Sequence, residues 1–92
     1  MSVPRKGAKR LNHRDTQYLW FMQIRNGISE VMIEMSAAVE GEVLIAQLPR
    51  ILTSTMIGEA IDFGLKNGWK PGQSGPVFRC KYDRKAFVKI EG

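Results

Sequence analysis

The sequence predicts an α+β fold: a mostly antiparallel sheet of about five strands, ordered β-β-β-α-β-β, with one amphipathic helix packed on one face. Three observations predict it. Asn26-Gly27 lies between two strand-like runs, a single stretch from Met56 to Leu65 has apolar residues at helical period, and two more strand-like runs follow that stretch.

The run from Tyr18 to Ile24 is dense in aromatic and β-favouring side chains. Trp20, Met22 and Ile24 fall on one face, Leu19 and Phe21 on the other. A strand apolar on both faces is either covered twice or presents its second face to a partner. From Ile28 to Met35 the pattern alternates, with Val31, Ile33 and Met35 on a core face and Glu30 and Glu34 on the face expected to be wet. Asn-Gly favours the positive φ angles of a type I′ turn, so the two runs form a hairpin. After a connection over residues 36–41, Glu42 to Leu48 reads as a third strand, ended by Pro49, which has no N–H for a ladder.

Thr53 is placed to cap a helix. Met56, Ile57, Ala60, Ile61, Gly64 and Leu65 then make one apolar stripe, with Glu59, Asp62, Lys66 and Asn67 opposite. Gly58 and Gly64 lie on or beside the stripe, where close approach of helix to sheet explains them. Gly68 suits the left-handed position after a helix, and Trp69 follows where it folds back on the last turn. The segment 70–76 is turn-rich. Val77 to Tyr82 alternates, with Phe78, Cys80 and Tyr82 on one face. Asp83-Arg84 makes a turn, and residues 86–91 form the last strand.

The net charge of +5 is carried by residues 1–14, which hold Arg5, Lys6, Lys9, Arg10 and Arg14 and no acidic residue. The remaining residues balance. With Pro4, Gly7 and no periodicity, residues 1–14 read as a disordered basic arm before a single domain over 15–92. The lone Cys80 excludes an intramolecular disulfide and fits a reducing, cytoplasmic compartment. No stretch approaches the roughly 20 apolar residues of a membrane span. The apolar run after the N-terminal charges lacks a small-residue cleavage site, so no signal peptide is expected.

Leu52-Thr53, the helix with Glu59-Ala60-Ile61-Asp62-Phe63-Gly64-Leu65, then Asn67-Gly68-Trp69-Lys70-Pro71, Gly75-Pro76 and Phe78 form one pattern. It resembles a group of small uncharacterised bacterial proteins, some encoded on mobile integron gene cassettes, that share a helix ending in Gly-Trp-x-Pro and a loop with Gly before an aromatic residue. The resemblance covers roughly a quarter to a third of the chain. It implies a small α+β protein of accessory-gene origin and no activity.

No residues assemble into an expected catalytic, cofactor or metal site. There is one His, one Cys, and no HxxxH or CxxC spacing. The loop Gly72-Gln73-Ser74-Gly75 follows a helix instead of leading into one, and lacks the Gly-Lys-Ser/Thr ending of a phosphate loop. Two functional readings stay open. Leu19, Phe21, Ile28 and Met32 exceed what one helix covers, and form either a loop-covered layer or an interface for a second copy or a protein partner. Arg5, Lys6, Lys9, Arg10 and Arg14 form either a solvated terminus or a nucleic-acid tether. The first reading, a non-catalytic self-associating interaction protein, is the preferred expectation.

Overall fold

The computed structural model describes residues 7–37, 41–48, 54–83 and 86–90. Strands β1 (Lys9–His13), β2 (Thr16–Arg25), β3 (Ile28–Met35) and β4 (Leu44–Gln47) precede helix α1 (Ser54–Lys66), and β5 (Phe78–Asp83) and β6 (Ala86–Lys89) follow it. The six strands form one sheet in chain order. Every neighbouring pair is antiparallel except β4 and β5, which are parallel. The helix is the crossover that a parallel pair requires. The expected α+β class, mostly antiparallel sheet and single helix are therefore seen, with one strand more than expected. Thr53, Pro49, Arg84, Arg5 and Lys6 lie outside the described residues.

The additional strand is β1, so residues 9–13 are not part of a disordered arm. Arg14 and Asp15 adopt φ of 50° and 64°, turning the chain so that His13 faces Thr16 and Lys9 faces Trp20. Only Leu11 and His13 of β1 are half-buried, so its sequence shows no apolar alternation to read. The next turn is the expected one. Asn26 and Gly27 take φ of 53° and 77°, and Arg25 pairs with Ile28.

The main core lies between helix and sheet. Ile57, Ala60 and Ile61 of α1 pack with Tyr18, Val31, Ile33, Leu44, Ala46, Phe78 and Cys80. Gly64 lets this contact close, since a Cβ there would overlap Leu44 Cδ1 and stand 3.0 Å from Trp69 Cε3. The helix ends as its residues demand. Gly68 takes φ of 107°, and the Trp69 N–H donates to the Gly64 carbonyl at 2.8 Å, the long bond of a Schellman closure. Trp69 is then 2% exposed, and its Nε1–H donates to the Glu42 carbonyl at 2.9 Å. Leu65, expected in the stripe, is exposed at its margin.

A second, smaller apolar cluster, Met32, Val43 and Ile45 with Phe21, Val77 and Ala8 packed against it, lies on the face away from the helix. It changes the environment of the β3 carboxylates. Glu30 and Glu34 were expected on a wet face and are instead buried, at 4% and 9% exposure. Alternation assigns a face but not its depth, and β3 is flanked on both sides. Glu30 pairs in register with Gln23 and Gln47, and its Oε1 accepts from Gln23 Nε2 at 3.3 Å.

Candidate functional site

The ten residues of β2 span about 34 Å, while the thirteen of α1 span about 20 Å. The helix therefore covers only part of the strand it faces. Exposure rises along the helix side of β2: Tyr18 is 3% exposed, Trp20 half-buried, Met22 42% and Ile24 62% exposed. Lys9 places its Nζ 5.3 Å from the Trp20 ring centre and shields that residue, whereas Met22 and Ile24 stay exposed.

Among the described residues, the same half of β2 has a free edge. Pairing with β1 ends at Lys9 opposite Trp20, so Phe21 to Arg25 have no strand partner on that side among the described residues. Gly7, with φ of 88°, turns the chain out of strand geometry, and a Cβ there would lie 3.2 Å from Phe21 Cε2. The chain thus passes over the face of Phe21 before it enters β1. Alternate N–H and C=O groups of Phe21 to Arg25 point away from β3, the condition in which a strand recruits another strand.

The four interface residues expected from sequence share one side of the sheet. Leu19 pairs with Glu34, Phe21 with Met32 and Arg25 with Ile28, which places Leu19, Phe21, Met32 and Ile28 together away from the helix. They do not form one exposed patch: Met32 is buried, Leu19 and Phe21 are half-buried, and only Ile28 is open, at 46%. Met22 and Ile24, assigned to the core face by alternation, are the exposed pair. The signal that finds them is the length mismatch between a ten-residue strand and a thirteen-residue helix.

The basic residues are dispersed. Lys9 sits on Trp20, and Arg14 donates from Nε and Nη2 to the two oxygens of Asp62 at 2.9 and 3.2 Å. His13 Nε2 donates to the same carboxylate at 2.8 Å. The Arg14 hydrogen bonds hold Asp62 below the usual carboxylate range; burial opposes this and His13 adds to it. Gly58 makes room for the imidazole, since a Cβ there would stand 2.9 Å from His13 Cε1. The cluster therefore ties β1 to α1. Arg10 remains exposed on β1.

Cys80 is fully buried, and burial pushes its thiol up to about 12, far from a nucleophile at neutral pH. Among the described residues, no group of three His, Cys, Asp or Glu side chains is placed to hold a metal ion. Among the same residues, no helix is long and apolar enough to cross a membrane. In comparisons with protein-family models, with curated proteins and with solved structures, nothing matches this chain.

Proposed function

We propose that this protein is a non-catalytic interaction module that self-associates through the outer edge of β2. The observation that carries the reading is the coincidence, over Phe21 to Arg25, of a strand edge with no strand partner among the described residues and the exposed side chains of Met22 and Ile24.

The segment is self-complementary. With a two-fold axis through Gln23, two antiparallel copies place Met22 of one opposite Ile24 of the other, and the reverse, on one face. On the other face Gln23 meets Gln23 and Phe21 meets Arg25, so no like charges oppose each other. Five paired residues run about 17 Å. Such a patch falls below the roughly 1,000 Å² of a stable specific interface, so association in the micromolar range is expected.

The arm reading is supported less. Two of its cations, Lys9 and Arg14, are engaged by Trp20 and Asp62 within the fold.

Sedimentation velocity on the full chain between about 10 and 500 µM tests the proposal. A monomer–dimer equilibrium that Ile24→Lys abolishes, with an unchanged circular dichroism spectrum, is expected. A monodisperse monomer throughout the range, or a dimer indifferent to the substitution, overturns it.

A further inference from the structure

We infer that the outer edge of β6 takes up an extended acidic segment of another protein as an added strand. The Ile90 N–H donates to the Arg79 carbonyl at 2.9 Å, one step beyond the paired residues of β5 and β6. That bond fixes the alternation of the antiparallel ladder. Ala86 and Val88 turn their backbone groups toward β5, so those of Phe87 and Lys89 point out of the sheet, where no described residue pairs with them. Strand β6 has only four residues, but it is held in place. The Phe87 ring centre lies 5.8 Å from that of Phe63 on α1 and 5.1 Å from that of Tyr82 on β5. The outward N–H and C=O groups are thus set in advance for a partner strand.

Charge identifies the partner. Residues 79–91 contain Arg79, Lys81, Arg84, Lys85 and Lys89 against only Asp83 and Glu91. Among the described residues, none of Arg79, Lys81 and Lys89 is within ion-pair distance of a carboxylate. Lys89 pairs with buried Cys80 and is exposed on the helix side of the sheet; Val88 pairs with Lys81 and is 39% exposed on the other side. A strand added here sets one residue opposite Lys89 and the next opposite Val88. Opposite charges facing each other across strands stabilise the pair and like charges repel, so an acidic residue fits opposite Lys89 and an aliphatic one opposite Val88. A short edge strand that carries lysine resists neutral and basic strands, and the same charge selects an acidic one. A second copy of this chain does not fit: its β2 edge, Phe21 to Arg25, carries a cation and no acid, and its β6 is itself basic.

Fluorescence anisotropy of a labelled short peptide alternating Glu and Val, titrated with the full chain at low salt, tests this. Saturable binding with Kd of about 100 µM to 1 mM is expected, with none for an alternating Lys-Val peptide. The acidic residues are those whose N–H groups meet β6. N-methylation of the glutamates is therefore expected to weaken binding about tenfold, and N-methylation of the valines to leave it unchanged. Lys89→Glu weakens binding about tenfold and Lys81→Glu less, while Arg10→Glu, exposed on β1 at the opposite end of the sheet, has no effect. Equal loss on methylating either residue overturns strand addition. Weakening by Arg10→Glu as large as by Lys89→Glu overturns the assignment to β6. Absence of saturation by the Glu-Val peptide up to about 2 mM protein overturns the proposal. If circular dichroism shows that Lys89→Glu fails to fold, Lys81→Glu and the methylated peptides carry the test.

Discussion

Replacing Gly64 by Ala tests how tightly the helix is seated on the sheet. On helix propensity alone the change is favourable by about 1 kcal/mol. Packing opposes it. The new methyl overlaps Leu44 Cδ1 and comes within 3.0 Å of Trp69 Cε3 and 3.3 Å of Trp69 Cβ. Neither neighbour can move away cheaply: Leu44 is fully buried, and Trp69 is pinned to the Glu42 carbonyl. Overpacking of this kind costs about 1–3 kcal/mol, and two immobile neighbours place it in the upper half of that range. The net expectation is a loss of about 1–2 kcal/mol, or roughly 5–15 °C in Tm for a domain of this size. Gly58→Ala is the internal control. The three atoms nearest its methyl all belong to the His13 ring, whose half-exposed contacts with Asp62 are worth under about 1 kcal/mol. Gain and loss then nearly cancel, and in a His13→Ala background Gly58→Ala becomes stabilising by about 1 kcal/mol. Urea and thermal denaturation followed by circular dichroism measure all four variants. Gly64→Ala more stable than the parent, or no different from Gly58→Ala, refutes the packing argument.

Three further outcomes are expected. Asp62 titrates below its usual range in the folded chain, so it adds stability above its unfolded value near 4 that is lost as pH falls through the depressed one. In Asp62→Asn the urea midpoint changes less between about pH 5 and 2; its carboxylate is over a third exposed, so the difference stays below about 1 kcal/mol, and superimposable pH profiles would contradict the assignment. Trp69→Phe removes the N–H that reaches the Glu42 carbonyl and leaves space beside Gly64; a loss of about 2–3 kcal/mol in denaturant titrations is expected, and a neutral result would show the staple is dispensable. Cys80 reacts with an aromatic disulfide reagent at pH 8 only as fast as the chain opens, so a rate near that of a free thiol would contradict its burial.

The elements easiest to read in the sequence were those whose local chemistry and packing agree. Asn26-Gly27 has the residues its positive φ angles demand, and the stripe through Ile57, Ala60 and Ile61 meets the core along its length. Strand β1 was hidden because its order comes from a distance. His13 and Arg14 are held by Asp62, 49 and 48 residues along the chain, and the Arg14-Asp15 turn uses non-glycine residues at positive φ. Asp tolerates that region better than most residues, which is the only local hint. The buried carboxylates were hidden for another reason. Glu30 sits in a row of long polar side chains across β2, β3 and β4, and this row exists only once the register is known. The exposed pair Met22 and Ile24 reads as core in any alternation pattern. What exposes them is the short reach of the helix, a property of the assembled layers.

The most direct test of the edge-pairing account is disulfide trapping at the proposed two-fold axis. Facing residues across antiparallel strands have Cα separations of about 4.5–5.5 Å, inside the range a disulfide bridges. In Gln23→Cys, the new thiol faces its own copy, while Cys80 is buried and takes no part. Mild oxidation at micromolar concentration is predicted to convert Gln23→Cys to a covalent dimer, and to leave Ile28→Cys, on the neighbouring strand, monomeric. Equal or absent cross-linking in the two variants would contradict pairing through the outer edge of β2.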